Sequence, residues 1–257
     1  FTEVTKRFQP NSMITYNYLD RYYGLPVSEN FYMMFYRTDI FEELGLQPPK
    51  TWGELYKTIT ALQRNNLTVG IPNIQASTAA RLFIGEGIFQ TLLFQHGGNY
   101  YKDGWKTTAF DTPEALQAFE MWTSFYTQYS LLPEFDFYTR FRSGEMPLGI
   151  NGYTIYNQLI VAAPEIRGLW EMAMLPSMEH ADGTVSSATT GGSTGICLFK
   201  KEKNNEQKEK NAWEYIKWFT STTTQGQYGR EIEILMGPAA RYDTANVEAL
   251  RTLPWGL

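Results

Sequence analysis

The sequence predicts an α/β protein, and three observations carry that prediction. Amphipathic helices start at recognisable caps, short apolar runs too brief to be helices lie between them, and the two kinds of segment alternate along the chain. The first extended segment is Phe31-Tyr32-Met33-Met34-Phe35-Tyr36, which stops at Arg37. Its near-continuous apolarity suits a strand buried on both faces. After Pro48-Pro49, the stretch Thr51-Trp52-Gly53-Glu54 is a capping box, and Trp52, Leu55, Ile59 and Leu62 fall on one stripe of a helix over about 51–65. Thr68 to Pro72 is a short extended piece. Leu82, Gly85, Phe89, Leu92 and His96 share one face of a second long helix, which Gly97-Gly98 stops.

Asp103-Gly104 sits between the aromatic arms of the segment Asn99 to Lys106 and predicts a small hairpin. Thr112 caps the next helix, Pro113 takes its first turn and Glu114 complements its dipole, with Leu116, Phe119, Trp122, Tyr126 and Tyr129 as the expected buried stripe. Beyond residue 135 come a short helix, a strand over 146–150, a helix over about 153–163 and an apolar extended run over 172–176. The Ser, Thr, Gly and Asp of 179–192 mark a loop before a strand from Gly195 to Phe199. Lys200 to Lys210 is hydrophilic and of mixed sign, a solvated loop and helix start. Ala212, Tyr215, Ile216 and Phe219 form the stripe of the following helix, and another runs over about 223–235. No repeat or low-complexity linker occurs, so a second domain has to arise from the chain passing back and forth.

Composition narrows the function. With 22 basic against 27 acidic residues the net charge is -5, and no basic face is available to neutralise phosphates, so nucleic acid is not an expected partner. No apolar run approaches the roughly 18 residues needed to cross a bilayer. The chain opens at Phe1 without an initiator Met or a leader-like pattern, so a processed protein or a piece of a longer one is expected. The single cysteine, Cys197, allows neither an internal disulfide nor a cysteine-based metal site, and its apolar surroundings predict a small buried hydrophobe. Aromatic residues make up 16% of the chain, with 17 Tyr, 16 Phe and 7 Trp. Beyond filling a core, such a supply suits a site that stacks on flat apolar ligand faces.

The motifs with chemistry are few. Gly191-Gly192-Ser193-Thr194-Gly195 matches the G-x-S-x-G elbow of hydrolases, but an elbow needs a strand before the serine, a helix after it and a later histidine. Here an apolar strand follows, and both histidines, His96 and His180, come earlier, so a glycine-rich turn exposing N–H groups is the expectation. Those histidines lack zinc-site spacing, and no phosphate-cradling glycine motif follows a strand; neither a metal nor a cofactor is expected. Glu29, Glu86 and Asp136 are carboxylates that a glycosidase could pair, which keeps a carbohydrate-active enzyme as the alternative. A bare protein-interaction domain is a third possibility.

Tyr23-Gly24-Leu25-Pro26, the apolar run ending Phe35-Tyr36-Arg37, then Asp39-Ile40-Phe41-Glu42-Glu43-Leu44-Gly45-Leu46 and Pro48-Pro49-Lys50-Thr51-Trp52-Gly53-Glu54-Leu55 together resemble the extracellular solute-binding proteins of bacterial ABC importers, in the branch of sugar-binding receptors. The segments Phe141 to Tyr153, Gly191-Gly192-Ser193 and Ala212 to Phe219 fit the same order. The resemblance implies a non-enzymatic receptor that binds a small-molecule solute, a mono- or oligosaccharide, and delivers it to ABC permease subunits. It also implies an extracellular or periplasmic location, with a lipid anchor in the full-length form. The implied fold is a two-lobe, periplasmic-binding-protein-like one, closing about a hinge. One lobe would hold 37–172 and 238–257, and the other, incomplete lobe 1–31 and 178–236; crossings would fall at 32–36, 173–177 and 237–240. By the same resemblance, Tyr153 and Tyr156 take the place of an aromatic platform, Gly192 and Ser193 offer amides and a hydroxyl, and Ser28, Glu29 and Arg241 are polar contacts.

Overall fold

The computed structural model describes residues 2–73, 88–199 and 205–254. Its main elements are β1 (Leu25–Arg37), α1 (Thr38–Glu43), α2 (Trp52–Arg64), β2 (Val69–Gly70), α3 (Phe89–Gln95), α4 (Pro113–Thr127), α5 (Phe137–Ser143), β3 (Leu148–Gly152), α6 (Ile155–Ala162), β4 (Trp170–Ala173), β5 (Gly191–Ile196), α7 (Glu206–Phe219), α8 (Thr222–Met236) and α9 (Val247–Thr252). The first half of the expected second helix, with Leu82 and Gly85, lies outside the described residues, as do Glu86 and 200–204. The chain divides into two compact units: Phe1–Asn30 with Gly192–Leu257, and Phe31–Gly191.

In the larger unit the apolar run is a central strand. β1 pairs antiparallel with β3 from Tyr32↔Gly152 to Tyr36↔Leu148 and, on its other edge, with β4 from Met34↔Ala173 to Arg37↔Trp170. β2 joins β3 in parallel, Val69 opposite Leu148. Successive side chains of a strand point to opposite faces. Tyr32 and Met34 accordingly enter a core with Ile59, Leu92, Phe125 and Ile150, whereas Phe35 enters a second core with Phe137, Phe141, Tyr156 and Leu159. A strand covered on both faces has no polar side, which accounts for the run of six apolar residues.

Caps behave as expected, with one difference. The Thr51 hydroxyl accepts from the Glu54 amide at 3.2 Å, but the Glu54 carboxylate takes the Lys50 N–H at 2.6 Å, one residue before the cap. Thr112 caps α4 through the Ala115 amide at 3.3 Å. The buried face of α4 differs more: Ala115, Ala118, Ser124 and Phe125 are inside, whereas Leu116 and Phe119 are 56% and 49% exposed. Small residues let this helix approach its neighbours closely, and Phe119 and Trp122 instead pack their rings on Phe89 of α3.

A buried polar network ties the later chain to α3. Trp52 Nε1 donates to Gln95 Oε1 at 2.6 Å, and Gln95 Nε2 donates to the carbonyls of Pro176 at 3.1 Å and Ala188 at 2.8 Å. The Thr91 and Thr190 hydroxyls meet at 2.8 Å. This network places 178–191 in the unit of 31–191, a correction to the expectation that the chain leaves it near 173–177.

The smaller unit corrects the tail. Residues 238–254 pack with α8 and belong to the smaller unit, where the expectation grouped 238–257 with 37–172. Glycines make this possible: a Cβ on Gly229 would lie 3.0 Å from the Leu253 side chain. Asn246 caps α9 through the Ala249 amide at 2.9 Å and donates to the Thr220 carbonyl at 2.9 Å. β5 begins four residues earlier than expected, so the glycine pair is extended backbone and not a turn. Cys197, expected inside, is exposed, as are Leu198 and Phe199. Of the expected α7 stripe only Ile216 is buried, and Tyr215 is 53% exposed.

Candidate functional site

Within the smaller unit, the segment 241–246 runs antiparallel to the start of β1. Ser28 bridges Thr244, the Glu29 amide donates to the Asp243 carbonyl at 2.9 Å, and the Ala245 amide donates to the Val27 carbonyl at 2.9 Å. That register sets Glu29 directly opposite Asp243, on the same face of the ladder. Burial and the nearby Asp243 charge push the Glu29 carboxyl up to about 7, and burial pushes Asp243 up to about 6. Tyr16 lies close enough to Glu29 to feel its charge, and burial moves its phenol upward.

The Tyr16 hydroxyl meets Ser193 Oγ at 2.9 Å and donates to the Ser193 carbonyl at 3.1 Å. Gly195 allows this: a Cβ there would sit 2.2 Å from the Tyr16 ring. Ser193 is therefore anchored from the side, and Gly192 precedes it in the same extended strand. Arg241 Nε donates to Glu233 Oε1 at 2.9 Å in a pair that is mostly buried. The unit also has an apolar groove of about 350 Å³, lined in part by Tyr22, Tyr23, Ile196, Leu198, Trp213 and Ile216.

Within the larger unit, the Tyr153 amide donates to the Phe31 carbonyl at 2.8 Å, and the two rings stack at 4.5 Å with 14° between their planes. Phe31 is 36% exposed and Tyr153 is half-buried. Tyr156 stacks behind Tyr153 at 6.4 Å but is only 5% exposed and belongs to the core. It backs the stack and has no free face, a correction to its expected part as a platform. Burial holds the Tyr32 phenol up at about 12, so it is a neutral hydroxyl throughout the physiological range.

Of the expected residues, Ser28, Glu29, Gly192, Ser193 and Arg241 fall in the smaller unit, and Tyr153 and Tyr156 in the larger. Ser28 and Glu29 come together with Asp243, and Ser193 joins them through Tyr16. The sequence reading missed Tyr16, Phe31 and Asp243. Phe31 heads the apolar run and Asp243 stands two residues after Arg241, so proximity in sequence was the available signal; for Tyr16 there was none. The hydrolase elbow does not form, since Ser193 lies within β5. Asp136 is engaged as the cap of α5, accepting from the Thr139 amide at 3.3 Å and hydroxyl at 2.6 Å.

Known proteins similar to this chain agree with one another. The family model described as bacterial extracellular solute-binding protein matches residues 4–247. A protein of Brucella abortus (strain 2308), named as a binding protein, is 26% identical over 204 residues, covering 76% of this chain and 45% of the relative. The chain thus spans about half the length of the curated relatives it matches. An ABC transporter solute-binding protein from Thermotoga lettingae, solved with alpha-D-tagatose bound, is 24% identical with a TM-score of 0.63, covering 89% of this chain and 57% of that one. UgpB from Mycobacterium tuberculosis, solved in complex with glycerophosphocholine, is 17% identical with a TM-score of 0.67, covering 98% and 61%. At such identities the likeness is one of fold, the periplasmic-binding-protein-like fold that the sequence resemblance implied.

Proposed function

Because this chain belongs to the bacterial extracellular solute-binding proteins, we propose that it captures a carbohydrate and hands it to the permease subunits of an ABC importer. The stack of Phe31 and Tyr153 is the observation that carries the choice of solute. Flat rings, partly open to water, desolvate the apolar face of a sugar, which few other polar solutes present. The smaller unit, taken by itself, carries groups able to pair with hydroxyls: Glu29, Asp243 and the Tyr16–Ser193 pair. No covalent chemistry is required, so the protein works as a receptor. A lipid anchor on the full-length protein belongs to the same proposal.

A glycerophosphodiester is the second reading, since a structural neighbour of comparable likeness was solved with one. Thermal-shift and calorimetric titration of the full-length protein with mono- and oligosaccharides distinguishes the two. Stabilisation by a sugar is the expected result. A response only to glycerophosphocholine, peptides or metal complexes overturns the carbohydrate assignment, and turnover of a glycoside overturns the receptor assignment.

A further inference from the structure

We propose that Glu29 and Asp243 form a proton-operated latch, which fastens the segment 241–246 to the start of β1 while at least one carboxyl is protonated and loosens it when both are ionised. The latch is independent of the identity of the solute.

The geometry carries it. Two amide–carbonyl bonds of 2.9 Å, Glu29 to Asp243 and Ala245 to Val27, flank the Ser28–Thr244 bridge and fix the segment's register. In that register the carboxyl-bearing side chains are direct cross-strand neighbours, an arrangement that destabilises a ladder when both carry the same charge. Arg241, the cation nearest in sequence, is held by Glu233 at 2.9 Å. Tyr16 and Tyr242 are near enough to feel the Glu29 and Asp243 charges but are neutral, Tyr16 raised by burial first and Tyr242, whose hydroxyl donates to the Val27 carbonyl at 3.2 Å, by burial and then by the Asp243 charge. Tyr228 closes over Tyr242 with ring centroids 4.9 Å apart. Among the described residues no cation enters an ion pair with Glu29 or Asp243. A proton on either carboxyl removes the repulsion.

Burial raises both carboxyls in the fold, Glu29 from 4.5 to about 7 with a further push from the Asp243 charge, and Asp243 from 3.8 to about 6. A carboxyl raised by folding leaves the ladder unpenalised below its unfolded value and weakens it as pH climbs through the interval to the folded value. The ladder is therefore tightest near pH 4, loosens up to about pH 7 and changes little above it.

Hydrogen exchange on the whole chain tests this. Corrected for intrinsic rates, protection of the Glu29 and Ala245 amides should fall about tenfold from pH 5 to pH 8. Raising a carboxyl's pKa by about one favours its neutral form tenfold, and solvent screening trims the larger rises of this pair toward that figure. The amide of Leu92 in the larger unit should show no such fall. The double variant Glu29→Gln, Asp243→Asn should keep its pH 5 protection at pH 8. Wild-type protection that stays level between these pH values overturns the latch, and so does a fall that persists in the double variant.

Discussion

Gln95 is 0% exposed and joins α2, α3 and the chain from Pro176 to Ala188 through three side-chain hydrogen bonds. Replacing it with Leu keeps volume and removes every polar atom. The Trp52 N–H then has no acceptor, and the carbonyls of Pro176 and Ala188 each lose a donor. An orphaned buried group costs about 1–3 kcal/mol, and relaxation recovers part of that, so a total of about 3 kcal/mol is expected. With a urea slope of about 2 kcal/mol per molar, the midpoint should move down by roughly 1.5 M. Urea denaturation followed by tryptophan fluorescence reads this directly. Trp52→Phe removes one of the three bonds, and the double variant should lose less than the sum of the singles, because the Trp52–Gln95 bond is counted in both. A Gln95→Leu loss below about 1 kcal/mol, or strict additivity with Trp52→Phe, would refute the network as what secures 178–191 in this unit.

Two further outcomes are expected. Tyr153→Ala should weaken binding of a sugar that stabilises the wild type by about fivefold, in line with roughly 1 kcal/mol for an aromatic contact, while shifting the melting temperature of the free protein only slightly; unchanged affinity by calorimetry would remove the ring stack from the site. Gly195→Ala should destabilise the smaller unit by about 2 kcal/mol, because the added methyl meets the Tyr16 ring at 2.2 Å, and Tyr16→Ala in the same chain should recover much of that loss in chemical denaturation.

Elements governed by neighbours in sequence were legible without the structure. A cap needs only a hydroxyl and an amide three residues on, so Thr51 and Thr112 announced α2 and α4. The apolar run of β1 also announced itself, since burial on both faces removes any polar alternation. The family could be read for a related reason: its motifs are local strings spread over most of the chain. What tertiary structure decided was the choice among competing surfaces. α4 offers apolar residues around most of its circumference, and only the partners of Ala115 and Ala118 determine that Leu116 and Phe119 stay outside. Cys197 lies in an apolar run, yet it stands on the exposed side of the smaller unit. The opposition of Glu29 to Asp243, residues far apart in the chain, arises from a strand register, and register is set by distant packing that no local string encodes.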